Sequence, residues 1–117
     1  MIEAAMLKVI QETGEGVLVL IDNVEADEFH RSRLTRLEVR RLLGAMAETL
    51  LSLSDAVQAA MPEIDWGTWR SVQQGLRVAS VDSDELCWDA AHSLVPATLS
   101  WLRVYRRSEP ALFEFKP

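Results

Sequence analysis

Apolar residues recur at steps of three and four along most of this chain, the spacing that gathers side chains on one face of an α-helix. The longest such run, Val39, Leu42, Leu43, Met46, Leu50, Leu53, Val57, Ala60 and Met61, predicts one continuous helix of roughly seven turns. Thr35 followed by Glu38 reads as a capping box, the hydroxyl accepting from a first-turn amide while the carboxylate reaches back to the cap's own amide. The helix is therefore expected to begin at Thr35 and to end at Pro62, since proline disfavours helical geometry in the residue before it.

On the N-terminal side, Ile2, Met6, Val9, Ile10, Thr13, Val17, Leu20, Ile21 and Val24 predict a first long helix over residues 2–22. Gly14 and Gly16 weaken it, each by about 1 kcal/mol relative to alanine, and such glycines are most simply explained by a neighbouring helix that comes close. Residues 25–32 are too polar for a core helix and predict a short link anchored by Phe29.

Beyond Pro62, Asp65 is placed to cap a third helix running through Trp66, Trp69, Val72 and Leu76, interrupted by Gly75. A polar turn over 79–84 follows, with Asp82 and Glu85, or Ser83 alone, as the cap of a fourth helix. Leu86, Ala90, Ala91, Leu94, Val95, Thr98, Leu99, Leu102 and Tyr105 form its broad apolar face, and Pro96 in its middle predicts a kink rather than an end. The tail carries Leu112, Phe113 and Phe115 after a proline, which should dock on the bundle or on a partner. Four helices with short connections predict an all-α, up-and-down antiparallel four-helix bundle, one domain over residues 1–107 with a docking tail over 108–117.

Composition agrees. A chain of 117 residues that is 49% hydrophobic, with five glycines and four prolines, suits one packed helical domain. The first residues, Met1 to Glu12, lack the basic start and apolar core of a signal peptide, and the run Val17 to Ile21 is too short to cross a membrane. A cytoplasmic protein with no membrane partner is expected. Cys87 is the single cysteine, which excludes an internal disulfide and leaves no metal-site spacing, so no metal and no cofactor are expected. Trp66, Trp69, Trp88 and Trp101 read as core or interface aromatics.

Charge alters this picture locally. The net charge of -6 argues against nonspecific binding to nucleic acid. Yet Lys8 is the only base before His30, whereas Arg31, Arg33, Arg36, Arg40 and Arg41 follow it closely. Arginines near a helix N-terminus oppose the macrodipole, so a carboxylate-rich surface or a phosphate is the expected counterpart.

The same region carries a resemblance. Arg33, Leu34, Thr35, Arg41, Ala47, Glu48, Pro62, Glu63, Ile64 and Trp66 fall on a pattern that resembles the HepT-like (DUF86) proteins of the HEPN superfamily, the toxin halves of bacterial toxin–antitoxin pairs. The resemblance implies a helical bundle, a homodimer and a minimal nucleotidyltransferase (MNT-type) partner. Thr35, Glu48, Pro62 and Trp66 would then be structural positions of the family pattern. It also implies metal-independent RNA cleavage by a motif on the third helix. There an arginine is followed after about four to six residues by His-x-Tyr, the guanidinium stabilising charge on the phosphate and the imidazole transferring a proton.

That motif is missing. Gln73 and Gln74 stand where the family has its arginine, and Arg77, Val78, Ala79 and Ser80 occupy the His-x-Tyr region. His30 and His92 lie elsewhere, and the tyrosine that the partner modifies with adenylate is absent as well. No catalytic residue is assigned; Arg33, Arg36, Arg40, Arg41, Arg70 and Arg77 are the candidate anion- or partner-binding residues. The expected protein is a degenerate HepT-like subunit, a noncatalytic dimeric binding protein paired with a nucleotidyltransferase. The alternatives are an active HEPN ribonuclease with a non-standard site, for which RNA is a less favoured partner, and a substrate-binding subunit of a nucleotidyltransferase.

Overall fold

Leu7, Ile10, Gly14, Val17 and Ile21 alternate at steps of three and four and all are buried, so α1 (Ile2–Ile21) turns a narrow stripe inward. Val39, Leu43, Met46, Ala47 and Leu50 do the same for α3 (Arg33–Leu51). The computed structural model describes residues 2–78 and 80–114, and these two helices make its most extensive contact. Gly14 is what lets them close on a third element. A Cβ there would stand 2.9 Å from Leu99 Cδ2 and 3.1 Å from Met46 Cε. α1 ends where Asn23 takes a left-handed φ of 59°, the conformation that asparagine tolerates just past a helix end.

Among the described residues every regular element is helical. A short α2 (Ala26–Arg31) carries Phe29, fully buried, into the core. Its C-cap, Ser32, is also the N-cap of α3. This moves the start of the long helix upstream of Thr35. The Ser32 hydroxyl accepts from the Thr35 amide at 3.4 Å and donates to the Thr35 hydroxyl at 2.9 Å, so Thr35 sits in the first turn and caps nothing. Glu38, the expected partner of the box, instead holds Arg41.

The end of the same helix also differs from expectation. α3 stops at Leu51 rather than continuing to Met61, because Ser52 and Ser54 offer the backbone local partners. Ser52 Oγ donates to the Glu48 carbonyl at 2.7 Å, and Ser54 Oγ accepts from the Val57 amide at 3.3 Å to cap a separate α4 (Asp55–Ala60). Leu53, Met61 and Ile64 remain buried through the break. Apolar periodicity survives although the helix does not. The corner at Pro62 is pinned from two sides: the Trp66 indole donates to the Met61 carbonyl at 3.0 Å, and the Glu63 amide donates to the Tyr105 hydroxyl at 3.1 Å.

α5 (Trp66–Gly75) is capped by Asp65, whose carboxylate accepts from the Thr68 amide at 3.1 Å and from its hydroxyl at 2.6 Å. Those bonds hold the Asp65 carboxyl below its ordinary pKa. Trp69 is fully buried and its indole donates to Thr98 Oγ1 at 3.0 Å, tying α5 to the last long helix. α6 (Val81–Asp89) begins at Ser80, not at Asp82 or Ser83. Ser80 and Ser83 form a reciprocal capping box, at 3.1 and 2.9 Å.

From α6 the chain passes through a π-helical turn, Ala90–Leu94, into α7 (Val95–Ser108) without leaving helical geometry. The wide turn lies directly before Pro96, whose ring and missing amide are incompatible with a regular α-helical ladder. Arg106 then bonds Gln11 and lies over the Phe113 ring at 5.1 Å. The 3₁₀ turn Pro110–Phe113 thereby packs on α1 and α7, with Leu112 and Phe113 against the core; Phe115 lies outside the described residues. The result is a set of helices on one apolar core, 45 × 26 × 24 Å in extent. No described helix is long and apolar enough to cross a membrane.

Candidate anion and partner binding site

Two serine caps determine where the arginines go. Ser32 starts α3 and Ser80 starts α6, and the first turns of the two helices lie side by side. Arg36 Nε is 3.5 Å from Asp84 Oδ2, and its guanidinium also donates to the His30 carbonyl. Arg40 donates to Ser83 Oγ at 2.8 Å and to the Leu76 carbonyl at the end of α5. Arg33, Arg36, Leu37, Arg40, Ser80 and Asp84 line an open concavity of about 280 Å³.

Three guanidiniums face one carboxylate in this concavity, so its lining is electropositive on an otherwise acidic chain. Arg40 crosslinks α3 to α5 and α6, a fixed position from which part of its fork can still meet an incoming anion. Arg33 is exposed and has no ion pair among the described residues. The arrangement suits a planar carboxylate or a phosphate oxygen, and the one carboxylate that lines it, Asp84, is held by Arg36.

Cys87 lies beneath, almost fully buried. Burial pushes its thiol up to about 11, with Arg40 lowering and Asp84 raising it to a smaller extent. At neutral pH it is a protonated, inert thiol rather than a nucleophile.

The other candidate arginines are not part of this group. Arg41 turns away and pairs with Glu38 on its own helix, Nε to Oε2 at 3.1 Å; the bond lowers the Glu38 carboxyl and raises the guanidinium. Arg70 is exposed on α5, and Arg77 is exposed in the turn after it. The concavity therefore unites Arg33, Arg36 and Arg40 and leaves out Arg41, Arg70 and Arg77. Of the family-pattern positions, Glu48 and Pro62 are exposed, whereas Thr35 and Trp66 are partly buried by the contacts given above.

The window that lacks the expected motif is used structurally. Gln73 and Gln74 belong to α5, Arg77 and Val78 to the turn, and Ser80 to the cap of α6; Ala79 lies outside the described residues.

One grouping escapes sequence reasoning. His30 and His92 both neighbour Trp88, with ring centroids at 6.4 and 3.9 Å, and Phe29 joins the group at 5.0 Å. His92 Nδ1 is 2.8 Å from the Trp88 carbonyl, which can only accept, so in the neutral ring Nε2 carries the basic lone pair. The signal available was modest: His92 follows Trp88 by one helical turn, and His30 adjoins the anchor Phe29. Among the described residues no group of three His, Cys, Asp or Glu side chains could hold a metal ion.

No family model, no curated protein and no solved structure matches the chain.

Proposed function

We propose that this chain is a degenerate HepT-like subunit, a noncatalytic, dimeric, cytoplasmic binding protein that pairs with a small nucleotidyltransferase of the MNT type. In this reading α1, α3, α5 and the continuous α6–α7 rod are the four members of an up-and-down antiparallel bundle. The observation that carries it is the fate of the motif window. Where the resemblance calls for histidine and tyrosine, the chain supplies a helix end and a serine cap, while Arg33, Arg36 and Arg40 beside it line an anion-suited concavity. A guanidinium can stabilise phosphate charge, and with no histidine in the motif window we read the concavity as one that binds rather than cleaves.

The test has two parts. Purified protein incubated with total and transfer RNA should leave both intact, next to a motif-bearing HepT-like control that cleaves them. The nucleotidyltransferase encoded beside the gene should co-elute with the chain, and Arg33→Glu with Arg36→Glu should weaken that complex at least about tenfold. Cleavage by the wild type, or no complex with the neighbour, would overturn the proposal.

The ring group at Trp88 favours a second reading, a ribonuclease with a non-standard site. His30 accepts from Arg36 through its backbone carbonyl while its ring lies by Phe29 and Trp88, and His92 keeps Nε2 as a base. Replacing His30 and His92 together by alanine would abolish any such cleavage; activity that survives the replacement removes this reading.

A further inference from the structure

Helix α3 carries a face that nothing among the described residues covers. Leu34 and Leu37 are 82% and 51% exposed, and Arg41 and Glu48 are exposed as well. Gly44 lies among them. A Cβ added there would meet nothing within 4 Å, in contrast to Gly14 and Gly75, which other helices crowd. No contact among the described residues accounts for a glycine in the middle of this helix, where glycine is the poorest former after proline.

Leu37, Gly44 and Leu51 recur every seven residues and so lie nearly in line, drifting by about 20° per heptad. Arg41 and Glu48 flank the line on the same side. Charge is divided along it, with Arg33 and Arg41 on the N-terminal side of Gly44 and Glu48 on the C-terminal side. Placed antiparallel against itself about a two-fold axis near Gly44, the face sets Arg41 of one copy against Glu48 of the other, twice; Leu51, at the far end of the line, is partly buried against its own core. Such a surface is complementary to itself, as an isologous interface requires. Glycine at the crossing lets the two backbones approach toward the short end of the interaxial range, about 8 Å. Opposed helices also align their macrodipoles favourably.

We infer that α3 is a self-association surface, and that a second copy of this chain covers Leu34, Leu37 and Gly44 with its own α3. This deepens the dimeric part of the proposed function and rests on that part alone. Glu38 is the competing partner of Arg41; it sits toward the edge of the face, so Arg41 can be shared between Glu38 and the second copy's Glu48.

Light scattering after size exclusion, with the full chain at tens of micromolar, tests the inference. The wild type should elute at twice the chain mass of 13.2 kDa. Gly44→Lys improves helix propensity and meets open space within one copy, so it should fold with undiminished helicity, yet wedge the crossing and weaken association about a hundredfold. Glu48→Arg should dissociate the dimer, and the exchange Arg41→Glu with Glu48→Arg should restore it. A wild-type monomer would overturn both this surface and the dimeric reading. A dimer that persists in Gly44→Lys would overturn this surface and leave the dimeric reading intact. Dissociation by Glu48→Arg without restoration by the exchange would overturn the antiparallel arrangement.

Discussion

The α1–α3 interface and the α3–α6 corner share a helix but are held by different physics. The first is apolar and periodic: Leu7, Ile10 and Val17 meet Val39, Leu43, Met46 and Leu50, all buried, with Gly14 leaving room for Met46 and for Leu99 of α7. The second is polar and irregular, a set of serine caps and guanidinium hydrogen bonds between Ser32, Arg36, Arg40, Leu76, Ser80, Ser83 and Asp84. Burial is non-directional and roughly proportional to area, so it tolerates small shifts. The corner depends on donor and acceptor positions and tolerates few. A scaffold of the first kind can keep its fold while the second kind is re-used for binding.

The largest effect that separates the two belongs to the core. Trp69→Ala removes a fully buried indole and leaves Thr98 Oγ1 without its donor, and it should cost about 4 kcal/mol. Urea denaturation followed by circular dichroism would measure it. A loss below that of the corner variants would mean that the polar corner, rather than the core, governs stability.

Next in size is a pH effect where the two regions meet. The Cys87 thiol is raised from an ordinary 9.0 to about 11, chiefly by burial. Because the folded pKa is the higher one, this contribution is fully present below pH 9. It falls as pH rises from 9 toward 11, where the unfolded chain releases a proton that the folded chain retains. The slope is at most about 1.4 kcal/mol per pH unit. Stability measured from pH 8 to 11 should drop in wild type and drop less in Cys87→Ala. The native thiol should stay unreactive toward maleimide at pH 8 and react once unfolded.

Within the corner itself, Arg40 carries most. Arg40→Met keeps the aliphatic stem but leaves the Leu76 carbonyl and Ser83 without its two donors, at about 2 kcal/mol. Arg40→Lys should recover less than half of that loss, because a single ammonium cannot span two acceptors held by different helices as the planar fork does. Full recovery would reduce Arg40 to a generic positive charge.

This division also marks how far the sequence could be read. Burial of Phe29, the apolar faces of α1 and α3, the Asp65 cap and the continuity through Pro96 all depend on neighbours a turn or two away, and periodicity carries that information. The break at Ser52–Ser54 was hidden because Leu53, Met61 and Ile64 stay buried on both sides of it, so the apolar stripe runs on where the backbone does not. The candidate site was legible as a list of arginines and not as a group. Arg40 meets Leu76 and Ser83, and His30 meets Trp88, across separations that no local pattern encodes.

The smallest effect bears most directly on that limit, since Ser32 and Thr35 offer rival caps for the same helix. A threonine followed three residues later by glutamate fits the box pattern, and Ser32 followed by Thr35 does not. Ser32 nonetheless has the extended backbone of a cap, φ -92° and ψ 99°, because α2 ends there. The chain direction imposed by Phe29 therefore decides which hydroxyl reaches a free amide. Ser32→Ala should lose about 1 kcal/mol, as cap removal does. Thr35→Ala should stay within about 0.5 kcal/mol of wild type, as a substitution away from such features does. Chemical denaturation of the two variants side by side would decide between them. The reverse order would mean that α3 begins at Thr35, that α2 does not set the corner, and that Arg36 and Arg40 no longer start from the first turns that bring them to Asp84 and Ser83.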